Sequence, residues 1–79
     1  GGDATLSGIV SDPSGAVVAN AEVQVTNSAT GVARTAVTTN AGFYVVPGLI
    51  PGTYLLQVSQ AGFRPTRISD IKLVVGQEA

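Results

Sequence analysis

The side chains able to do chemistry are few in this chain and stand far apart. It contains no cysteine and no histidine. The thiol nucleophile, the commonest general base and the usual zinc ligands are therefore missing together. Five carboxylates, Asp3, Asp12, Glu22, Asp70 and Glu78, are scattered along the chain, and no two have the short spacing that a calcium loop uses. Asp12 opens Asp12-Pro13-Ser14-Gly15, with Asp first, Pro second and Gly fourth as a type I turn prefers. Its expected part is turn former rather than ligand. A Ser–Lys pair would have to use Lys72, the only lysine, which sits among Ile71, Leu73 and Val74 and reads as a solvated strand position. A Lys–Asn isopeptide bond is disfavoured too, because that lysine comes late while Asn20, Asn27 and Asn40 come early and in turns. We therefore expect no catalytic residue, no cofactor and no metal site. The chain reads as not an enzyme.

Binding chemistry is nearly as sparse. The four basic residues, Arg34, Arg64, Arg67 and Lys72, are spread out and the formal net charge is -1, which argues against a nucleic-acid face. Arg64-Pro65-Thr66-Arg67 reads as a polar connection into the last strand. Of the four aromatics, Tyr44 and Tyr54 fall at core parity and Phe43 at the opposite parity. An exposed Phe43 would be one stacking surface for a sugar ring, whereas a platform generally needs two. No run is long enough to span a membrane, because Pro and Gly break the apolar stretches. Membrane insertion by this segment is not expected.

The elements that would position these residues are strands. No window places apolar residues at i, i+3, i+4 and i+7, and β-branched runs alternate with turn clusters instead. The expected strands are Thr5–Ser11, Ala21–Thr26, Val32–Thr39, Phe43–Val46, Thr53–Gln60 and Ile68–Val75. Ala21-Glu22-Val23-Gln24-Val25-Thr26 alternates cleanly, as one dry and one wet face require. Leu6 and Val10 share a face, with Gly8 between them where a neighbour can come close. Ala16–Asn20 crosses irregularly, Asn27–Gly31 turns the chain, and the threonine-rich third strand belongs towards an edge. Asn40-Ala41-Gly42 reads as a short hairpin connection with Gly42 at positive φ. Pro47-Gly48-Leu49-Ile50-Pro51-Gly52 reads as a loop that drops Leu49 into the core. Tyr54, Leu56 and Val58 then face inward, Tyr54 with a tyrosine-corner-like bond to backbone. Ala61-Gly62-Phe63 turns with Phe63 tucked in, and Ile71, Leu73 and Val75 face inward with Lys72 outward. The expected fold class is all-β, an antiparallel Greek-key β-sandwich of six or seven strands. With 79 residues, 44% of them hydrophobic, it is a single domain over residues 1–79 whose stability rests on apolar burial. At typical values per residue that is on the order of 4–12 kcal/mol.

These residues also form a recognisable pattern. Gly8-x-Val10-x-Asp12-x-x-Gly15, Ala21-x-Val23-x-Val25 and Thr30-Gly31 make its first half. Thr38-Thr39-x-x-Gly42-x-Tyr44-x-Val46-x-x-Leu49-x-Pro51-Gly52-x-Tyr54-x-Leu56-x-Val58 and Gly62-Phe63 make its second. The chain resembles the carboxypeptidase-regulatory-like domain, a transthyretin-like (prealbumin-like) sandwich of the carbohydrate-binding-like fold group. The resemblance implies a non-catalytic module, of a kind found beside metallocarboxypeptidase domains, in bacterial surface proteins and as N-terminal extensions of Oar-like TonB-dependent receptors. Ser14–Ala21, Asn40–Tyr44 and Gly76-Gln77 are most similar to the receptor extensions.

The resulting expectation is a structural or interaction module of a bacterial cell-envelope protein, extracytoplasmic, in the periplasm or outer membrane as part of a larger polypeptide. Its partners would be other domains of the parent chain or envelope proteins. Carbohydrate binding is the alternative. Gly1-Gly2-Asp3 has no initiator Met and looks like neither a signal peptide nor a lipidation site, so the chain reads as an excised piece. Family members usually continue past the Gly-Gln with one more apolar strand. Where it is trimmed, a sheet edge lies open, and edge-strand self-association at high concentration is expected.

Overall fold

The computed structural model describes residues 3–62 and 65–73. The described residues form strands β1 (Ala4–Ile9), β2 (Glu22–Asn27), β3 (Ala33–Val37), β4 (Phe43–Leu49), β5 (Gly52–Ser59) and β6 (Thr66–Leu73), with no helix among them. They form two sheets, β1-β4 and β3-β2-β5-β6, in which every pairing is antiparallel. The hairpins β2–β3 and β5–β6 lie side by side through β2 and β5, and between them the chain visits the other sheet as β4. This is the Greek-key sandwich that the strand pattern predicts.

Alternation builds the interior. Val23 and Val25 are fully buried on one face of β2, and Tyr54 and Leu56 join them from β5 and Leu73 from β6. Ala4 and Leu6 of β1 and Val46 and Leu49 of β4 close over them. The intervening residues Glu22, Lys72 and Phe43 point out, so parity alone assigns most of the core. Two polar side chains are buried with partners. Thr38 accepts from Ala21 N–H at 2.9 Å and donates to the Val18 carbonyl at 2.7 Å, which fastens the irregular Ala16–Asn20 crossing to the start of β2. Asn27 ends β2 and accepts from Ala29 and Thr30 N–H at 2.9 and 3.1 Å, capping the turn into β3.

Three expectations need correction. Asn40-Ala41-Gly42 is not a hairpin between paired strands. Gly42 does take φ 76°, but the turn carries the chain from the four-stranded sheet to the two-stranded one. Secondly, Pro47-Gly48-Leu49 does not interrupt the ladder. β4 runs to Leu49 with a register shift against β1, Ala4 pairing Leu49 and Leu6 pairing Val46. Proline is tolerated because, among the described residues, β4 has a neighbour on one side only, and Gly48 at φ 69° absorbs the irregularity. Leu49 is buried as expected, at 3% exposure. Lastly, Thr66 and Arg67 are not a connection: they begin β6 and pair with Val58 and Gln57. The expected positions of Phe63 and Val75 lie outside the described residues.

Other expectations hold. β3 is an edge strand. Lys72 is exposed, and Ile71 packs against the core. A Cβ on Gly8 would meet the Tyr44 hydroxyl oxygen at 2.7 Å, so Tyr44 is the close neighbour that Gly8 admits. Tyr54 donates its hydroxyl hydrogen to the Ile50 carbonyl at 2.5 Å, the corner-like bond expected of it.

Candidate functional site

The residues weighed for chemistry remain apart. Asp12 Oδ1 accepts from Ser14 Oγ at 2.6 Å, Ser14 N–H at 2.9 Å and Ala16 N–H at 3.1 Å. The Ser14 hydroxyl above all, helped by backbone N–H groups, holds its carboxyl below the ordinary value. Asp12 is thus spent on its own turn. Glu22 and Asp3 are exposed, on β2 and ahead of β1. Among the described residues no three of His, Cys, Asp or Glu come together to hold a metal ion. Glu78, Arg64 and the side chain of Asp70 lie outside the described residues. No helix of the described residues is long and apolar enough to cross a membrane.

Arg67 has a partner that the sequence does not reveal. With the Gln57 amide oriented to satisfy both neighbours, its oxygen accepts from Arg67 Nε at 2.9 Å and Nη2 at 3.0 Å, while its nitrogen donates to Gln24 Oε1 at 3.2 Å. Gln24, Gln57 and Arg67 are register partners on β2, β5 and β6. They form one polar row across the outer face of the larger sheet. Arg34 reaches the other way, and its Nη1 donates to the Pro47 carbonyl at 3.1 Å, tying β3 to β4.

Two surface features are organised enough to bind something. The first is the outer face of β1–β4. Phe43 stands directly opposite Ile9, and Val45 opposite Ser7; Ile9 is 64% exposed, Phe43 43% and Val45 44%. Val17 extends the patch, since its Cβ lies where a side chain on Gly42 would go. Parity predicted Phe43 to be outside, but its pairing with Ile9 needed the register. Among the described residues the face holds one aromatic, so stacking on a sugar would rest on Phe43 with aliphatic flanks.

The second is a seam at the open side of the sandwich. One cleft of about 240 Å³ is lined by Ile9, Tyr44, Leu56, Val58 and Ile68, among others. It shares Val10, Ser11, Val58 and Thr66 with a second of about 250 Å³ that reaches Asp12, Pro13 and Gln60. Burial pushes the Tyr44 hydroxyl up from its ordinary value. On the wall of the second cleft, Gln60 donates from Nε2 to the Ala19 carbonyl at 2.6 Å, while its Oε1 is buried without a protein partner. Nothing in the sequence marks this seam. Among the described residues, two strands lie over four.

The described residues form a two-layer antiparallel sandwich whose ionisable groups are dispersed, a small all-β module. Residues 5–79 match the carboxypeptidase regulatory-like domain, and the chain belongs to that family, a non-catalytic domain family. A search of curated proteins finds no match. Among solved structures, the chain is similar to a protein from Bacteroides uniformis described provisionally as a carbohydrate binding protein, with TM-score 0.74 and 22% identity. All of this chain is covered but only 39% of the other, so this chain corresponds to well under half of that protein.

Proposed function

We propose that this domain is a non-catalytic interaction module of a bacterial cell-envelope protein, carried extracytoplasmically as the N-terminal extension of a TonB-dependent outer-membrane receptor. The observation that carries this reading is the dispersal of the chemistry-bearing groups. Asp12 is consumed by its turn and Arg67 by Gln57, while Lys72 is exposed on an outer face. What the surface offers instead is shape and apolar area, which suits docking. The receptor context is supported by the Ser14–Ala21, Asn40–Tyr44 and Gly76-Gln77 patterns. Its test is the coding sequence on both sides of this domain. A plug followed by a membrane barrel is the expected result, and a soluble peptidase or a cytosolic enzyme would overturn it.

A second reading, a carbohydrate-binding accessory module, is favoured by Phe43 in its exposed apolar face and by the kind of neighbour that shares the fold. Titration of isotope-labelled protein with a panel of oligosaccharides decides it. Shift changes centred on Phe43, Ile9 and Val45 support sugar binding, and an unchanged spectrum at millimolar ligand removes it.

A further inference from the structure

The β3 edge of the larger sheet is built from residues 21–38, all of them described. β3 pairs with β2 from Ala33 to Val37 without a register shift and has no strand on its other side among the described residues. Asn27 N–H donates to the Val32 carbonyl and Thr38 N–H to the Ala21 carbonyl, both at 2.9 Å. By antiparallel alternation, Arg34 and Ala36 then bond to β2, while the N–H and C=O groups of Ala33, Thr35 and Val37 point out of the edge. Those three residues are exposed, Val37 at 61%. The opposite edge of the sheet, β6, is three strand spacings away, about 14 Å.

Sheet edges are commonly blunted by a proline, a bulge or a charge. β3 has no proline and no bulge, and its one charge is turned aside: Arg34 Nη1 donates across the layers to the Pro47 carbonyl at 3.1 Å. The main-chain edge is therefore straight and accessible. Its length, 5 residues, limits how strongly anything can pair with it, not how specifically.

We propose that the partner of this edge is a second copy of the same chain, paired β3 to β3, antiparallel, about a two-fold axis at Thr35. The sequence of β3 is complementary to itself in that register alone. With Thr35 opposite Thr35 of the second copy, Ala33 stands opposite Val37 and Val37 opposite Ala33, and every outward N–H and C=O of the strand finds a partner. Thr beside Thr is a favourable cross-strand pair, and Arg34 faces only the small Ala36. Sliding the copies one way sets Arg34 directly against Arg34, like charge on like. Sliding them the other way sets Ala33 against Thr39, whose N–H already donates to the Phe43 carbonyl. A foreign peptide would gain the main-chain bonds without this side-chain match.

The same register makes the polar row of the outer face continuous. Thr35 is the register partner of Gln24, which adjoins Gln57 and Arg67. The row therefore runs from Arg67 of one copy through the paired threonines to Arg67 of the other, with the two guanidinium groups at its far ends. A contact of this size is well below that of a stable interface, so the dimer is weak and reversible. The proposal goes beyond the interaction-module reading and does not rest on it.

The test combines sedimentation, hydrogen exchange and cross-linking. A reversible dimer is expected to populate as the protein approaches about 1 mM, with exchange slowing at the Ala33, Thr35 and Val37 amides. Thr35→Pro removes an N–H that β2 does not use, and proline is tolerated at such a position. It should weaken the dimer about tenfold or more, since each of the two copies loses a central bond. Cysteine substitutions test the register in a chain that has no cysteine of its own. Main-chain-bonded antiparallel partners have Cα atoms about 5.5 Å apart, within disulfide reach, so Thr35→Cys should oxidise to a covalent dimer in a glutathione buffer. Ala33→Cys places the two thiols four residues out of step and should stay monomeric. If Thr35→Pro does not fold, the two cysteine variants carry the comparison.

A strict monomer at about 1 mM overturns the proposal, as do equal cross-linking of both cysteine variants or a dimer that Thr35→Pro leaves unchanged. So does full protection of the Thr35 amide in dilute protein, because the edge is then covered within one chain. None of these outcomes bears on the envelope context, which the flanking coding sequence decides.

Discussion

Tyr44 occupies the space that a side chain on Gly8 would need. The two are register partners on β4 and β1, and the Tyr44 hydroxyl oxygen lies 2.7 Å from where a Gly8 Cβ would stand. Gly8→Ala must therefore push the ring outward, at a cost of about 1–3 kcal/mol by the usual range for overpacking. Tyr44→Phe removes the nearest atom but leaves the ring carbon at 3.0 Å. The double variant should then recover part, not all, of the loss. Urea unfolding of the wild type, both single variants and the double variant measures the coupling; strictly additive effects would show that the ring and Gly8 do not compete.

The Tyr54 hydroxyl gives a cleaner measure of one bond. It donates to the Ile50 carbonyl across the Pro51-Gly52 corner, and Tyr54→Phe keeps the buried ring. The variant should lose about 0.5–1.5 kcal/mol with an unchanged dependence on denaturant. A larger loss, or a changed slope, would mean that the corner itself rearranges.

Gly42 and Gly15 both take positive φ, at 76° and 91°, but only Gly42 is also crowded. Its Cβ would meet the Val10 carbonyl oxygen at 2.8 Å and the Val17 Cβ at 2.9 Å, whereas nothing lies within 4 Å at Gly15. Alanine at Gly15 should cost about 1–2 kcal/mol for the left-handed backbone alone. At Gly42 it should cost clearly more, since two parts of the main chain must separate. Equal thermal midpoints for the two variants would contradict this.

Asp12 predicts an acid-side dependence of stability. Its carboxyl is held below the ordinary 3.8 by the Ser14 hydroxyl and neighbouring N–H groups. Its contribution is therefore fully present above that unfolded value and is lost as pH falls through the lower folded value. Asp12→Ala removes the group, so the gap in urea midpoint between wild type and variant should be steady near neutral pH and close below about pH 4. A gap that persists to the acid limit would assign the turn's strength to something other than the ionised carboxylate.

How far these relationships can be read from residues alone depends on whether parity or pairing decides them. Val23, Val25, Tyr54 and Leu56 were assigned inward by alternation, which every strand with one dry face displays. The corner bond of Tyr54 was legible because Pro51-Gly52 fixes the chain just before it. The turn at Asn40-Ala41-Gly42 reads as a hairpin although it crosses between sheets, since its local chemistry is the same whether the chain returns to its own sheet or crosses to the other. Pro47 reads as a stop because a sequence does not state how many neighbours a strand has. The Gln24–Gln57–Arg67 row and the Ile9–Phe43 pair depend on register between distant segments. The seam depends on the unequal width of two sheets, a property that no single segment carries.

The ladder positions of the first and last described strands have a mechanical corollary. Ala4 pairs with Leu49 and Leu73 with Gly52, and Leu49 and Gly52 are three residues apart, a span of at most about 11 Å. The start of β1 and the end of β6 thus lie at one pole of the sandwich. Tension applied between Ala4 and Leu73 would open the β1–β4 and β5–β6 ladders one rung after another, as a zip opens, instead of loading all their hydrogen bonds in shear. Pulled at these two residues, the sandwich would yield at low force.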